Sequence, residues 1–112
     1  MKLLCVVVSA AIGAAACAPK AAPSVSPQQR AIQRIAEADA LVQAGCYDCL
    51  VDALSKYEEA RAVPAAAGAA TAGAVRVGIL LAMRERELGF GDSGYLDKAK
   101  QLAATLPALH SA

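Results

Sequence analysis

Beyond residue 26, apolar side chains recur three and four positions apart, and no stretch alternates as a half-buried strand would, so the pattern predicts helices alone. The first has a readable start: Ser26 as N-cap, Pro27 at the first helical position and Gln29 three residues after the cap, the Gln form of a capping box. Ile32, Ile35, Ala38 and Val42 fall on one face, Arg30, Arg34, Glu37 and Gln43 on the wet one, and Gly45 ends the helix as a left-handed cap. A second helix begins near Tyr47 or Asp48, carries Leu50, Val51, Leu54 and Tyr57 in a stripe, and stops at Pro64; Asp52 and Lys56 make an acid-before-base pair on its outside. Two amphipathic helices joined by so short a turn lie antiparallel, because neither buries its stripe alone.

A third helix is expected over roughly 66–88, weak at its glycine-containing start and stronger over Val75, Ile79, Leu80 and Met83. Residues 89–94 read as a turn, and a fourth helix carries Leu96, Ala99, Leu102, Ala103 and Leu106 and ends before Pro107. The fold class is therefore all-α, about four helices in antiparallel hairpins, with residues 28–64 as the first hairpin and 65–112 as the second hairpin plus a C-terminal tail.

The hairpins superpose with an offset of 46 residues, Gly45 on Gly91, Leu50 on Leu96 and Ala53 on Ala99, a weak sign of internal duplication. In the first hairpin, Gly45-Cys46-Tyr47-Asp48 resembles the Gly-Asp-Tyr turn of the tetratricopeptide (TPR) superfamily. Ala53, Tyr57 and Ala60 resemble its Ala-Tyr-Ala spacing, and Pro64 its terminal proline. The stretch from Gly45 to Ala53 is longer than the family's. The resemblance covers residues 32–64 more closely than 75–106; it implies a groove that binds a peptide or protein, and carries no catalytic residue with it. Repeat arrays usually need about three units, so two hairpins and the ending Leu106-Pro107-Ala108-Leu109 suggest either a truncated product or a core completed by self-association.

Ahead of the helices, one positive charge at Lys2 and an uninterrupted apolar and small-residue run have the layout of an export signal. The run is too short for a lasting span, which takes about 20 residues. Ala14-Ala15-Ala16-Cys17 resembles the lipobox of bacterial lipoproteins, with Ala14 where leucine is usual. That resemblance implies cleavage after residue 16, lipid (diacylglycerol, with palmitate as the label to follow) on Cys17, and a cell-envelope location. The same alanines also suit an ordinary secretory signal. Residues 17–27, rich in Pro and Ala, read as an extended tether. Ala18, not the aspartate of inner-membrane retention, favours the periplasmic face of the outer membrane by resemblance.

Removing residues 1–16 leaves fewer than 100 of the 112 residues, enough for one small domain. The formal charge of +1 falls to zero with Lys2, leaving no electrostatic footprint for nucleic acid. The mean hydropathy of +0.42 owes much to the signal and to alanine. Residues 65–83, with Arg76 in their midst and three glycines, read as a small-residue helix packed against neighbours and not as a membrane span.

Only Cys46-Tyr47-Asp48-Cys49 could carry chemistry. Two cysteines at a helix N-terminus feel the positive end of its dipole, which lowers thiol pKa. The readings are a local disulfide, which an oxidising periplasm favours, a reduced buried pair, or a redox site. Zinc would need about four ligands, with only His110 to add, and a c-type haem would need histidine where Leu50 stands, so no cofactor and no metal is expected. Asp48, Asp52, Glu58 and Glu59 read as solvated helix exterior, and Arg84-Glu85-Arg86-Glu87 as a self-compensating face. The sequence thus favours a noncatalytic adaptor, lipid-anchored at Cys17, over a thiol-disulfide protein using Cys46 and Cys49 or a truncated, purely structural lipoprotein.

Overall fold

A computed structural model of the chain describes residues 24–111. The signal segment, Cys17 and the tether up to Pro23 lie outside the described residues. Among the described residues every regular element is helical: α1 (Pro27–Ala44), α2 (Tyr47–Arg61), a single 3-10 turn (Pro64–Ala66), α3 (Ala67–Leu88), α4 (Tyr95–Ala103) and α5 (Leu106–Ser111). Each helix packs mainly on its neighbour in sequence, α1 on α2, α2 on α3 and α3 on α4, while α1 and α3 touch only lightly and α5 folds back onto α3.

The start of α1 is held as its sequence implies. Ser26 is extended, its hydroxyl accepts from the Gln29 amide at 3.1 Å, and the Gln29 side chain accepts from the Ser26 amide at 3.3 Å. Gly45, at φ 74°, supplies the left-handed turn and its N–H closes onto the Leu41 carbonyl. The face toward α2 runs through Ala31, Ile35 and Ala38. Ile32, expected on that face, lies about a quarter turn off it and is 56% exposed, because close approach of α2 selects the alanines beside it.

The core gathers Ala38, Leu50, Tyr57, Val77, Leu81 and Leu102 from four helices. Tyr57 is the largest fully buried side chain, and α3 admits it by giving up its own: a Cβ on Gly73 would sit 2.5 Å from the Tyr57 ring. On the other flank a Cβ on Gly78 would meet that of Ala99 at 3.1 Å, so α4 also approaches nearly backbone to backbone. The glycine-rich half of α3 is therefore a tightly packed half. Its buried face is Ala70, Ala74, Val77 and Leu81; of the expected Val75, Ile79, Leu80 and Met83, Val75 and Leu80 pack at the edge of the core, while Ile79 and Met83 are exposed. Residues Pro64–Leu88 are long enough, and in their most apolar 18-residue window apolar enough at a mean hydropathy of 1.6, to cross a membrane by length and composition. In this fold their small residues are where two other helices pack.

Two further expectations give way. Leu96 is 38% exposed, since Ala99 and Leu102 supply the buried stripe of α4. That helix also stops at Ala103; the Thr105 hydroxyl donates to the Leu102 carbonyl at 2.7 Å, and Pro107 falls in the first turn of α5, where a missing N–H is harmless.

Candidate functional site

Because α1 and α3 both lean on α2 but barely touch each other, a groove opens between them. Its floor carries a polar rung built from three helices. The Tyr57 hydroxyl rises from α2 and donates to Asp39 Oδ1 of α1 in a short bond, with Arg76 of α3 close by. Burial and then the Asp39 carboxylate push the Tyr57 phenol up to about 12, and Arg76 opposes the shift. Tyr57 is thus a neutral donor at neutral pH and loses its proton only in strong alkali.

One helical turn further along α3 the groove becomes apolar. A pocket of about 330 Å³ is lined by Val42, Leu50, Leu80 and Met83, with Gly45, Arg84 and Glu87 at its rim. Met83 is 53% exposed there, on a helix whose other side is fully packed. Arg84 spans the mouth, donating to the Gly45 carbonyl at 3.1 Å and pairing with Glu87 at 3.3 Å. An apolar pocket rimmed by a few oriented polar groups suits an apolar side chain of a bound chain.

The cysteine pair sits at the end of this groove. Cys46 and Cys49 are joined by a disulfide, and the Cys46 sulfur also accepts from the Cys49 amide at 2.9 Å, acting as N-cap of α2. Between them Tyr47 donates to Glu85 Oε2 at 2.9 Å and stacks edge-on against Phe90 at 5.2 Å. Burial and the bond to Glu85 push the Tyr47 phenol up to about 12.

Glu85 corrects the reading of Arg84-Glu85-Arg86-Glu87 as a wet face. Only 4% exposed, it accepts from the Ser93 amide at 3.2 Å as well as from Tyr47, and hydrogen bonding from Ser93 holds its carboxyl below the usual range against the cost of burial. Glu85 lies four residues beyond Leu81 and eight beyond Val77, on the same buried stripe; that spacing was the signal in the sequence. Asp39 and Arg76 carry no such signal, because only the packing of Tyr57 brings them together.

The acidic residues of α2 divide. Asp52 does not pair with Lys56, which reaches across to Glu37 at 3.1 Å; Lys56 and then Arg34 hold Glu37 below the usual carboxylate range. Glu58 is half-buried and ties three helices, through Arg61 at 2.6 Å and Lys98 of α4 at 3.1 Å, while Arg61 donates to the buried Thr71 of α3. Burial pushes the Glu58 carboxyl up, and these two cations outweigh it. Among the described residues no three His, Cys, Asp or Glu side chains converge as a metal site would need.

Compared with known proteins, the chain matches no family model, no curated protein and no solved structure.

Proposed function

We propose that the chain is a noncatalytic, lipid-anchored cell-envelope protein whose TPR-like helix hairpins bind a protein or peptide in the groove between α1 and α3. The observation that carries this reading is the apolar pocket beside Met83 and Leu80, open to solvent on a helix otherwise packed on both flanks. Supporting it are the serial packing of neighbouring helices, the Gly45 turn with Ala53, Tyr57 and Ala60 all buried on one face of α2, and the lipobox-like Ala14-Ala15-Ala16-Cys17. Anchorage at the periplasmic face of the outer membrane fits Ala18 and the Pro/Ala tether.

The reading divides into two tests on the full chain. Cells should incorporate labelled palmitate into the parent and not into Cys17→Ser; a label that survives the substitution, or never appears, removes the anchor. A photo-crosslinking residue at Met83 should give discrete protein adducts that the same residue at Lys100, on the exposed side of α4, does not give. Equal or absent adducts at both positions remove the groove.

A further inference from the structure

The open face of α3 has a symmetry of its own. Arg76, Leu80, Met83 and Glu87 follow one another at spacings of four, three and four, which sets them in one line along the helix as a coiled-coil seam would. Read from either end, the line is a charge, two apolar residues and the opposite charge. Residues 76 and 87 share a midpoint with 80 and 83, so a two-fold axis through that point lays Arg76 against Glu87 and Leu80 against Met83. It also lays Ile79, 41% exposed, against the aliphatic stem of Arg84.

The charges available within the chain favour that arrangement. Arg76 makes no ion pair among the described residues, only its approach to the Tyr57 hydroxyl, while Glu87 holds one exposed bridge to Arg84. An antiparallel mate would supply each Arg76 with a carboxylate. It would also set the Met83 of each copy over the Leu80 edge of the other's pocket.

We propose that this stripe is a self-complementary surface by which two copies pair through antiparallel α3 helices. The proposal rests on reading the α1–α3 groove as a binding surface, and names its occupant as a second copy of this chain. Isologous pairing of this kind places the same four residues on both sides, so a single charge reversal creates two repulsive contacts at once.

The test uses the full chain extracted in a density-matched detergent and followed by sedimentation equilibrium. The parent should reach twice the chain mass at micromolar concentration. Arg76→Glu and Glu87→Arg should each weaken association by at least about tenfold, and the exchange Arg76→Glu/Glu87→Arg should restore it to near the parent value. Circular dichroism of the exposed single variants checks that they stay folded. A monomeric parent, single variants that associate like the parent, or a double exchange that fails to recover each overturns the proposal. Foreign adducts at Met83 on a monomeric chain would overturn self-pairing and keep the groove, whereas a monomer without adducts would remove both.

Discussion

The two hairpin turns solve one problem by different means. Between α1 and α2 only Gly45 and Cys46 intervene, and the link is fixed locally: a left-handed glycine, a sulfur that caps α2 and a disulfide across its first turn. Between α3 and α4 six residues intervene, and α4 begins at Gly94, φ 82°, without a side-chain cap of its own. That longer link has one local bond, Asp92 taking the Gly94 amide at 2.8 Å, and is otherwise tied back to α3 by buried Glu85 taking the Ser93 amide. Tyr47 joins the two devices, since it lies between the cysteines and donates to Glu85. The first turn is specified mostly by neighbours in sequence, the second more by the burial of Glu85.

The helices differ in the same sense. The first hairpin brings the bulk, in Leu50 and Tyr57, and the second brings the space, in Gly73 and Gly78. Removing the bulk has the largest effect: Tyr57→Ala should cost about 3–5 kcal/mol, the range for deleting a buried aromatic, and strip α2 from α3 in urea unfolding. Filling the space comes next. Gly73→Ala gains roughly 1 kcal/mol of helix propensity but forces the Tyr57 ring to move, at about 1–3 kcal/mol for overpacking. It should lower the melting temperature, while Gly78→Ala, whose new Cβ meets Ala99 and the Tyr95 carbonyl at 3.1 and 3.2 Å, should change it much less. Equal losses at both glycines would break the distinction between a site holding a ring and a site holding a backbone.

Much of this was legible in the sequence, and the failures share a cause. The capping box, Gly45 and the start of α2 follow from local chemistry and fall where the spacing puts them. The face of α3 does not, because hydrophobicity favours Ile79 and Met83 over glycine and alanine, while close packing inverts that order whenever two helices approach one small-residue helix. The same effect left Ile32 outside and Ala31 inside. The 46-residue offset holds for Ala53 and Ala99, both buried, and fails for Gly91, since the left-handed cap of α3 is Gly89. Leu96, at the place of buried Leu50, is exposed, so the second hairpin follows the first in outline and departs from it at the turn. The groove was expected only through the TPR resemblance; its polar rung of Asp39, Tyr57 and Arg76 is a product of packing.

The local device of the first turn should matter less than the packing. A ring closed over so few residues removes few unfolded conformations, so Cys46→Ala/Cys49→Ala should lose no more than about 2 kcal/mol, at the low end for disulfides, and stay helical with Met83 adducts intact. Loss of a thiol-dependent activity with unchanged stability would instead make the pair a working redox site.

The smallest effect is read against pH, and it separates the two turns again. Glu85 has a folded pKa below its ordinary 4.5, so its contribution is present above that value and is lost as pH falls through the folded pKa. Tyr47 and Tyr57 are raised from 10 to about 12, so their contribution is complete below 10 and is lost as pH rises toward 12. Melting temperature should therefore fall at both ends, and Glu85→Gln should make the acid limb shallower, with Glu37 and Glu58 keeping the rest of it, and weaken the Tyr47 part of the alkaline limb while leaving the Tyr57 part in place. An acid limb unchanged in Glu85→Gln would show that the second turn is held by something else.

The most direct measurement concerns α3, on which both hairpins and the groove depend. Single cysteines placed along residues 69–87 of the full chain can be challenged with a water-soluble thiol reagent under native conditions. In chain diluted below the concentration at which copies pair, positions 76, 79, 83 and 87 should react readily, and positions 70, 74, 77 and 81 only on unfolding, a period of about 3.6 residues with its open side toward the groove. Uniform protection along the helix, as a membrane span would give, or a reactive side centred on 70, 74 and 77, would contradict the account.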